Sequence, residues 1–466
     1  MAEQAATHHS TQVRIHLKSK DGAIELPQET GPILVSTDLK RYQLSTLVNR
    51  LLETERPIPL EFLINGQFLR TSLDEFLTQN GISAETTLNI EYVKALVPPL
   101  HIASYEQDDW ISTVDILSSS SKAAKWTKSS SPIQSRLLSG SFDGSLRIWN
   151  TSQEVIATGN WHRGSIHTAR FLSPTQVVSA GTDKSVHIWD YTDGLTEGSG
   201  TLKPKLELIG HKSLIDNLAV HAPSSRILTA SADHTVGLWS TKKSEAPPAP
   251  EIAAPTSTNK RRKISTSSIE TATRGPLSLL KSHTQDVRAV TFDEKDATVA
   301  YSASLDHSVK TWDLTTSRCV DTKTTNQSLM AICHLPSHSL IATGGALRYI
   351  DLVDLRASAT KVSALQCLGH TNWIRSIARN PTNEYQFVSG SDDSTCRIWD
   401  IRSTTQEAGG GQVAKAVYVV ERVSVEGKKQ EQGGESTVYG VEWDEEVGIV
   451  SGGKDKRVQV NRSPGV

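Results

Sequence analysis

Apolar and polar positions alternate in one short pattern that recurs along the chain after about residue 100. Each copy begins at a small residue, reaches an Asp, has Ser or Thr two positions later, and then alternates up to a Trp. The strong copies are SGSFDGSLRIWN (139–150), SAGTDKSVHIWD (179–190), TASADHTVGLWS (229–240), SASLDHSVKTWD (302–313) and SGSDDSTCRIWD (389–400). Alternation of this kind predicts half-buried β-strands, and the Asp is typical of a tight turn that joins two strands.

The register of the copies is strict, with the Asp six residues before the Trp and a Ser or Thr four residues before the Asp. A weaker copy at 451–462 keeps Asp455 but has Asn461 in place of the Trp. Another at 342–355 has Leu347 and Val353 at the two positions, which brings the total to seven copies. The Asp–Trp pairs of the strong copies are Asp143 with Trp149, Asp183 with Trp189, Asp233 with Trp239, Asp306 with Trp312 and Asp393 with Trp399.

The pattern resembles the WD-repeat family, which implies a seven-bladed β-propeller. The second signature of that family, Gly-His, is present at Gly210-His211 and Gly369-His370, and is reduced to His162 and His283 after other residues. In that family the His, the Ser or Thr, the Asp and the Trp form one hydrogen-bonded set inside each blade. A catalytic triad is not repeated once per blade, so these polar residues are predicted to be structural.

The first part of the chain lacks the repeat and is predicted to be a small α+β domain over 12–96, after a disordered segment 1–11. Strands are expected at 12–19, around 22–27 and at 87–94, with an amphipathic helix at 38–55. Asn65-Gly66 predicts a hairpin turn within 60–70. This order of elements resembles a ubiquitin-like fold. The fold class is therefore mainly β: a seven-bladed WD-repeat propeller over 97–466, preceded by a small ubiquitin-like domain.

Long intervals between copies predict insertions in the propeller. The segment 241–279 is rich in Pro, Ala, Ser and Thr, which predicts a disordered insertion. It contains the basic run Lys260, Arg261, Arg262 and Lys263, a candidate nuclear-localisation signal or a chance charge cluster in a solvated loop. The segment 403–436 is predicted to be a partly flexible insertion within the last blade, with a strand or strand pair at 413–425. Residues 100–107 alternate and are expected to supply the outer strand of that blade.

The charge balance argues against a protein that binds nucleic acid mainly through contacts with the phosphate backbone. Lys and Arg number 49 against 51 acidic residues, a net charge of −2. Direct RNA contact is therefore expected to be secondary. The four cysteines lie far apart, without a Cys-x-x-Cys motif, and no apolar run approaches the length of a membrane span. These features predict a reducing intracellular setting, with neither a membrane partner nor a zinc site.

The N-terminal domain resembles the Notchless-type domain family in LKRYQLSTLVNRLL (39–52), PLEFLINGQFLRTSL (59–73) and GISAETTLNIEY (81–92). Seven repeats and a junction with Pro98, Pro99, Asp108, Asp109 and Trp110 are similar to the WD-repeat subunits of the PeBoW ribosome-assembly complex. The resemblance implies a non-catalytic factor for maturation and pre-rRNA processing of the large (60S) subunit. It also implies a location in the nucleus, in the nucleolus and nucleoplasm.

The same resemblance implies partners. The propeller would bind the propeller of Block of proliferation, and through it Pescadillo. The N-terminal domain would dock on the metal-dependent adhesion site of the AAA ATPase midasin, which releases the factor from the pre-60S particle. Glu85 would then be a ligand to the Mg²⁺ of midasin, and the chain would hold no metal or other cofactor of its own. The alternative is that Glu85 is an ordinary solvated loop acid.

Two other functional classes fit the sequence less well. An enzyme is disfavoured because the sequence has no Gly-rich phosphate loop, metal-ligand cluster or nucleophile elbow. A substrate receptor of a cullin-type ubiquitin ligase is suggested by Trp399-Asp400-Ile401-Arg402, which matches a motif of such receptors. Trp-Asp is also the signature of the repeat itself, so the match is weak. Co-purification with ligase adaptors or with pre-ribosomal particles would discriminate between the two classes.

Overall fold

The computed structural model describes residues 11–19, 24–26, 31–54, 56–127, 133–194, 196, 198–250, 271–357, 363–406, 412–425 and 436–464. The chain divides into two compact units, one of residues 1–98 with 401–414 and the other of residues 99–400 with 415–466. None of the helices in the described residues is both long and apolar enough to cross a membrane.

The N-terminal domain is a five-stranded sheet with the strand order β2-β1-β5-β3-β4, in which β1 and β5 run parallel. Helix α1 packs Leu44 and Val48 into a core that contains Ile15, Phe62 and Ile90 from the sheet. Alternate residues of β1 and β5 are buried, as a sheet covered on one face by a helix requires. The elements are β1 (Gln12–Lys18), β2 (Ile33–Ser36), α1 (Arg41–Leu51), β3 (Leu60–Ile64), β4 (Gln67–Phe68), α2 (Leu73–Asn80) and β5 (Leu88–Lys94).

Two details of this domain differ from the sequence analysis. The second strand lies at 33–36 rather than around 22–27, where the described residues 24–26 form no strand. Ile24 is instead a buried anchor whose carbonyl accepts a hydrogen bond of 2.8 Å from the Tyr92 hydroxyl. Helix α2 was not predicted, because eight residues are too few for a clear helical period. The turn at Asn65-Gly66 is as expected, with φ values of 53° and 81°.

Among the described residues of the second unit, the strands form seven sheets, each built on four adjacent antiparallel strands, and two of the sheets have additional strands. The first three are β7 (Ile111–Leu117), β8 (Arg136–Ser141), β9 (Ser145–Trp149), β10 (Val155–Asn160); β11 (Ile166–Ser173), β12 (Gln176–Gly181), β13 (Ser185–Thr192), β14 (Thr201–Ile209); and β15 (Ile215–His221), β16 (Arg226–Ser231), β17 (Thr235–Ser240), β19 (Ser278–Lys281). Helix α3 (Lys122–Thr127) lies between β7 and β8, and β18 (Ala272–Arg274) pairs in parallel with β14.

The remaining four sheets continue the same order. They are β20 (Val287–Phe292), β21 (Val299–Ser304), β22 (Ser308–Asp313), β23 (Arg318–Thr324); β24 (Leu329–Leu335), β25 (Leu340–Gly345), β26 (Tyr349–Asp354), β27 (Ser363–Leu368); β28 (Ile374–Arg379), β29 (Gln386–Ser391), β30 (Thr395–Asp400), β33 (Tyr418–Glu421); and β34 (Val438–Asp444), β35 (Gly448–Gly453), β36 (Arg457–Arg462), β6 (Leu100–Glu106).

The seven sheets are blades of a closed propeller. The first strand of each sheet contacts the first strand of the next, and β34 contacts β7. Strand β6 pairs antiparallel with β36, so residues 100–106 complete the seventh blade, as the sequence predicts. This pairing joins the start of the propeller to its end and leaves no open edge at the junction.

Parts of both predicted insertions are ordered in the described residues. Within 241–279, β18 and the start of β19 are ordered, and Ala246 is buried. Lys260, Arg261, Arg262 and Lys263 lie outside the described residues. Within 403–436, β31 (Thr404–Gln406) and β32 (Gln412–Lys415) pair with each other. Strand β33 pairs with β30, so 418–421 is the outer strand of the sixth blade and not part of the last. The alternation of 413–425 could not reveal which sheet it would join.

Candidate docking site and blade networks

Glu85 lies in the loop between α2 and β5, and its backbone is held by its neighbours. Helix α2 ends at Gly81, whose φ of 63° suits a glycine. The Thr86 N–H and hydroxyl donate to the Ser83 carbonyl at 3.2 Å and 2.7 Å. The Glu85 N–H donates to the Ser83 hydroxyl at 3.3 Å. The chain therefore presents Glu85 from a defined turn rather than from an unconstrained loop.

The carboxylate of Glu85 is exposed and makes no hydrogen bond or ion pair with any residue in the described part of the chain. Its oxygens are therefore free to ligate a hard cation. One carboxylate cannot hold such an ion alone, so the geometry suits completion of a coordination shell that another protein supplies. Glu61 of the same domain is not available to a metal in this way. It is buried and paired with Arg41 at 3.1 Å and Arg70 at 2.9 Å.

Blades two, three, four and six each contain a closed His–Ser/Thr–Asp–Trp network. In the third blade His211 Nδ1 lies 2.9 Å from Asp233, and His211 Nε2 lies 2.7 Å from the Thr229 hydroxyl. The Trp239 indole N–H donates to the same hydroxyl at 2.8 Å. Equivalent sets are His162, Ser179, Asp183, Trp189; His283, Ser302, Asp306, Trp312; and His370, Ser389, Asp393, Trp399.

The protonation states follow from burial and hydrogen bonding. Burial lowers the pKa of His162, His283 and His370, although the facing aspartates oppose this. Burial opposes ionisation of Asp306, but hydrogen bonds from Ser308, the Thr284 N–H and His283 lower its pKa to about 2. A neutral imidazole therefore donates from Nδ1 to an ionised Asp and accepts at Nε2.

These networks are unsuited to nucleophilic catalysis. The hydroxyl of each Ser or Thr accepts from the Trp indole, and these four residues are 0% exposed, so a substrate cannot reach the oxygen. Trp189, Trp239, Trp312 and Trp399 are among the largest fully buried side chains. Their single donor must be satisfied when buried, and the networks do this.

The first and seventh blades replace the histidine with other donors. In the first blade Gln107 donates to Ser139, which also accepts from Trp149 at 2.8 Å. Gln107 stands four residues before the innermost strand, as the network histidines do, and this spacing is a sequence signal for it. In the seventh blade the buried Arg422 donates to Asp455 with Nε at 3.0 Å and Nη2 at 2.5 Å.

Arg422 could not be found by spacing, because it stands 16 residues before the first residue of β34 and not four. It also donates to the Ser451 hydroxyl at 2.7 Å and to the Arg457 carbonyl at 2.5 Å. Asn461, at the Trp position, accepts instead from Gln459 at 2.8 Å. The weak seventh copy therefore keeps a complete polar network with a guanidinium at its centre.

The fifth blade has neither the Asp nor the Trp, and Val353 is buried in the core in place of the indole. Gln327 donates to the buried Asp351 at 3.2 Å and accepts from the Leu347 N–H at 3.1 Å. Ser363 donates to Asp351 at 3.1 Å. Burial raises the pKa of Asp351, against the hydrogen bonds that lower it.

The segment 399–402 is mostly enclosed. Trp399 is fully buried, and Asp400 is 1% exposed and accepts from Gln386 at 3.1 Å. Trp399 and Asp400, two of the four residues of the suggested ligase-receptor motif, are therefore buried in the sixth blade and not presented on its surface.

Comparison with known proteins decides the family. The NLE (NUC135) domain family matches residues 13–77, and the WD domain, G-beta repeat family matches 102–150, 153–190, 202–240, 274–313 and 362–400. The ribosome biogenesis protein ytm1 of Aspergillus terreus is 55% identical over 479 residues, which cover 100% of this chain and 98% of the relative. The chain belongs to the ytm1 family of ribosome biogenesis proteins.

Other ytm1 proteins match nearly as completely. Those of Aspergillus clavatus and Emericella nidulans are each 55% identical, over 98% of this chain and 96% of the relative. The resemblance drawn from the N-terminal segments and the repeats is therefore confirmed. The weak copies at 342–355 and 451–462 fall outside the matched repeats, and the domain match ends at 77, before Glu85.

Proposed function

We propose that this ytm1-family chain is a non-catalytic assembly factor of the large (60S) ribosomal subunit that acts in the nucleus. The support for ribosome biogenesis is the full-length identity of 55% to proteins that carry that name. A non-catalytic role fits blade networks in which each polar group already has a partner. The factor would serve pre-rRNA processing and maturation on the pre-60S particle.

The N-terminal domain is the docking module in this proposal. It would bind the metal-dependent adhesion site of midasin, with Glu85 as a ligand to the Mg²⁺ held there. The observation that carries the proposal is the free, exposed carboxylate of Glu85 on a hydrogen-bonded turn. Mg²⁺ prefers oxygen ligands in strict octahedral geometry, so one well-placed carboxylate can complete its shell.

The propeller is the holding module. It would bind the propeller of Block of proliferation, and Pescadillo through that protein. ATP-driven pulling by midasin on the N-terminal domain would then withdraw the factor from the particle. Closure of the ring by β6 supports this role, because residues 100–106 connect the docking module directly to a fully paired sheet.

Replacement of Glu85 tests the docking proposal. Glu85→Ala should abolish capture of the full-length chain by the purified midasin adhesion domain in the presence of Mg²⁺. Glu85→Asp should weaken capture, because the carboxylate is withdrawn by one methylene. EDTA should abolish capture of the unaltered chain, because the metal bridges the two proteins. Binding is measured by pull-down and by calorimetric titration.

Glu75→Ala is the matched control, since Glu75 is another exposed acid of the same domain. It changes the net charge equally and should leave capture unchanged. Undiminished capture of a folded Glu85→Ala chain would refute the ligand role, as would equal loss with Glu75→Ala. Pre-60S particles that purify without this chain would refute the wider assembly role.

A further inference from the structure

The second blade departs from the other His–Ser/Thr–Asp–Trp networks at one buried position. His187 lies on β13, four residues after Asp183, and is 2% exposed. The second blade therefore has two imidazoles beside its network carboxylate, whereas the other complete networks in the described residues have one each. The residues that stand four positions after the Asp in the first, third, fourth and sixth blades are Arg147, Gly237, Lys310 and Arg397.

Three side chains of this blade bring possible metal ligands together. His162 Nδ1 lies 2.7 Å from Oδ2 of Asp183, and His187 Nε2 lies 3.7 Å from the same oxygen. The two imidazole rings are nearly perpendicular, with centroids 4.4 Å apart. All three ligand atoms lie within 4.8 Å of one another, and no other His, Cys, Asp or Glu side chains in the described part of the chain form such a group.

These separations are close to those of a tetrahedral zinc site. Ligand atoms lie about 2.1 Å from Zn²⁺, and therefore about 3.4 Å from one another. The distances of 2.7 Å and 3.7 Å from the two imidazoles to Asp183 bracket this value. The side chains of His162, His187 and Asp183 are 0%, 3% and 8% exposed. An ion held by them would be shielded from solvent, as structural zinc ions are.

The Ser179 hydroxyl holds His162 in the orientation that a metal requires. It lies 2.6 Å from His162 Nε2 and accepts from the Trp189 indole at 2.8 Å. A hydroxyl can donate to this nitrogen or accept from it, so it supports either neutral tautomer of the imidazole. When Nδ1 ligates a metal, its proton moves to Nε2, which then donates to Ser179. Imidazoles that ligate metals almost always donate their second N–H in this way.

Ser185 and His187 are also arranged differently from their counterparts. In the other four blades that keep both the Asp and the Trp, the hydroxyl two residues after the Asp donates to it at 2.5–2.6 Å. The Ser185 hydroxyl lies 3.0 Å from His187 Nε2 instead. His187 Nδ1 is buried without a hydrogen-bond partner among the described residues. A buried imidazole with so few partners is costly to maintain, and a metal bound at Nε2 would offset that cost.

The donor set favours one class of metal. Two of the three ligand atoms are imidazole nitrogens, which suit Zn²⁺. Mg²⁺ and Ca²⁺ prefer a shell of oxygen atoms, so two imidazoles with one carboxylate are a poor site for them.

A protonated His187 that merely replaces the cation of the first blade is the alternative to a metal ligand. Arg147 of that blade donates to Asp143 at 3.3 Å. His187 Nε2 lies 3.7 Å from Asp183, which is beyond hydrogen-bond distance. The geometry therefore disfavours a simple ion pair at this position.

We propose that the second blade binds one Zn²⁺ through His162 Nδ1, the Asp183 carboxylate and His187 Nε2, with a water molecule or the Ser185 hydroxyl as the fourth ligand. The ion joins the loop before β11, the turn before β13 and strand β13 itself, and it stabilises the folded blade. The sequence predicts no metal of the chain's own, because the cysteines lack the spacing of a zinc site and the repeat accounts for His162 and Asp183 as hydrogen-bonding residues. This site is separate from Glu85 and does not depend on docking to midasin.

Zinc titration of the full-length chain, after treatment with a chelator, tests the proposal. Calorimetry with ZnCl₂ should show a strong site in the unaltered chain. His187→Arg and His187→Gly should each lose one zinc equivalent or weaken it at least about tenfold. Zn²⁺ should raise the thermal unfolding midpoint of the unaltered chain but not of either variant, and MgCl₂ should raise none of them. Both variants are expected to fold, because Arg and Gly stand at this position in other blades.

His101→Arg is the matched control, because it removes an exposed histidine of β6 by the same change of side chain. It should leave the zinc stoichiometry and the shift in midpoint unchanged. The lack of a strong zinc site in the unaltered chain would overturn the proposal. So would a site that persists in both His187 variants, with folding checked by circular dichroism, or one that is lost equally in His101→Arg. Equal stabilisation by MgCl₂ would also overturn it.

Discussion

At the scale of single residues, each blade network depends on which partner of the His–Asp pair carries charge. Burial keeps His162, His283 and His370 neutral by lowering the pKa of each imidazole. The facing aspartates remain ionised, because donated hydrogen bonds outweigh their own burial. The pair is therefore a directed hydrogen bond to a carboxylate rather than a salt bridge between two charges.

This arrangement predicts a loss of stability on mild acidification. An unfolded histidine binds its proton near pH 6.5, whereas the folded histidines have lower pKa values. The unfolded state thus holds more protons below about pH 6.5, and stability falls as the pH falls. The aspartates add a second loss below about pH 4, since their folded pKa values are lowered. Urea-unfolding midpoints at pH 7.5, 6.5 and 5.5 should decrease in that order.

His283→Gln isolates one contribution to this pH dependence. Glutamine still donates to Asp306 but does not titrate, so the variant should be less stable at pH 7.5, by about 1–3 kcal/mol, and should vary less with pH. His101→Gln is the control, because His101 is exposed on β6. An unchanged pH slope in His283→Gln would contradict the assignment.

At the scale of elements, the seventh blade shows how a degenerate repeat can stay ordered. Arg422 lies directly after β33, and its guanidinium group donates hydrogen bonds to Asp455, Ser451 and the Arg457 carbonyl of the seventh-blade network. Both charges of the pair are nearly fully buried, at 1% and 5% exposure of the side chains. Such a pair is stable only because its geometry satisfies nearly every donor and acceptor.

Arg422→Ala should therefore be strongly destabilising, by about 3–5 kcal/mol, because it leaves the Asp455 carboxylate buried without a countercharge. Arg422→Lys should recover only part of the loss, since an ammonium group lacks the planar fork that binds a carboxylate through two donors. Arg356→Ala is the control for an exposed surface pair with Asp354 and should cost far less than Arg422→Ala. Urea unfolding measures all three, and equal costs for Ala at 422 and 356 would contradict the argument.

At the scale of the whole propeller, stability depends on the junction where the ring closes. Strand β6 comes from the start of this unit and pairs with the last strand of the seventh blade. Tyr105 of β6 packs edge to face on Trp149 of the first blade, with ring centroids 5.6 Å apart. One side chain therefore joins the first and last blades.

Tyr105→Ala should loosen this junction and lower stability by about 3–5 kcal/mol, the cost of truncating a large buried aromatic residue. Val320→Ala is the control, because Val320 lies on the outer strand of the fourth blade and is 67% exposed. Limited proteolysis should cut Tyr105→Ala faster than the control, and the first cuts should map near β6 or β36. Equal proteolysis rates would show that the junction is not the weak point.

The sequence by itself determined the repeat, the number of its copies, the turn position of each Asp and the strand that closes the ring. These follow from local periodicity, since burial alternates along a strand and the same turn chemistry recurs. The sequence also determined the family through the N-terminal segments and the repeats. Glu85 was reached through that resemblance, because nothing in its local pattern distinguishes it from other loop acids.

Only the tertiary structure decided that Arg422 replaces the missing histidine of the seventh blade, and which sheet each strand of the segment 403–436 joins. Arg422 and Asp455 are 33 residues apart and meet because two blades are adjacent in the ring. Residues 418–421 could have joined either neighbouring sheet on pattern alone, and pairing with β30 settled it. Non-local contacts of this kind depend on which strands and loops become neighbours in the folded ring, which no local pattern encodes.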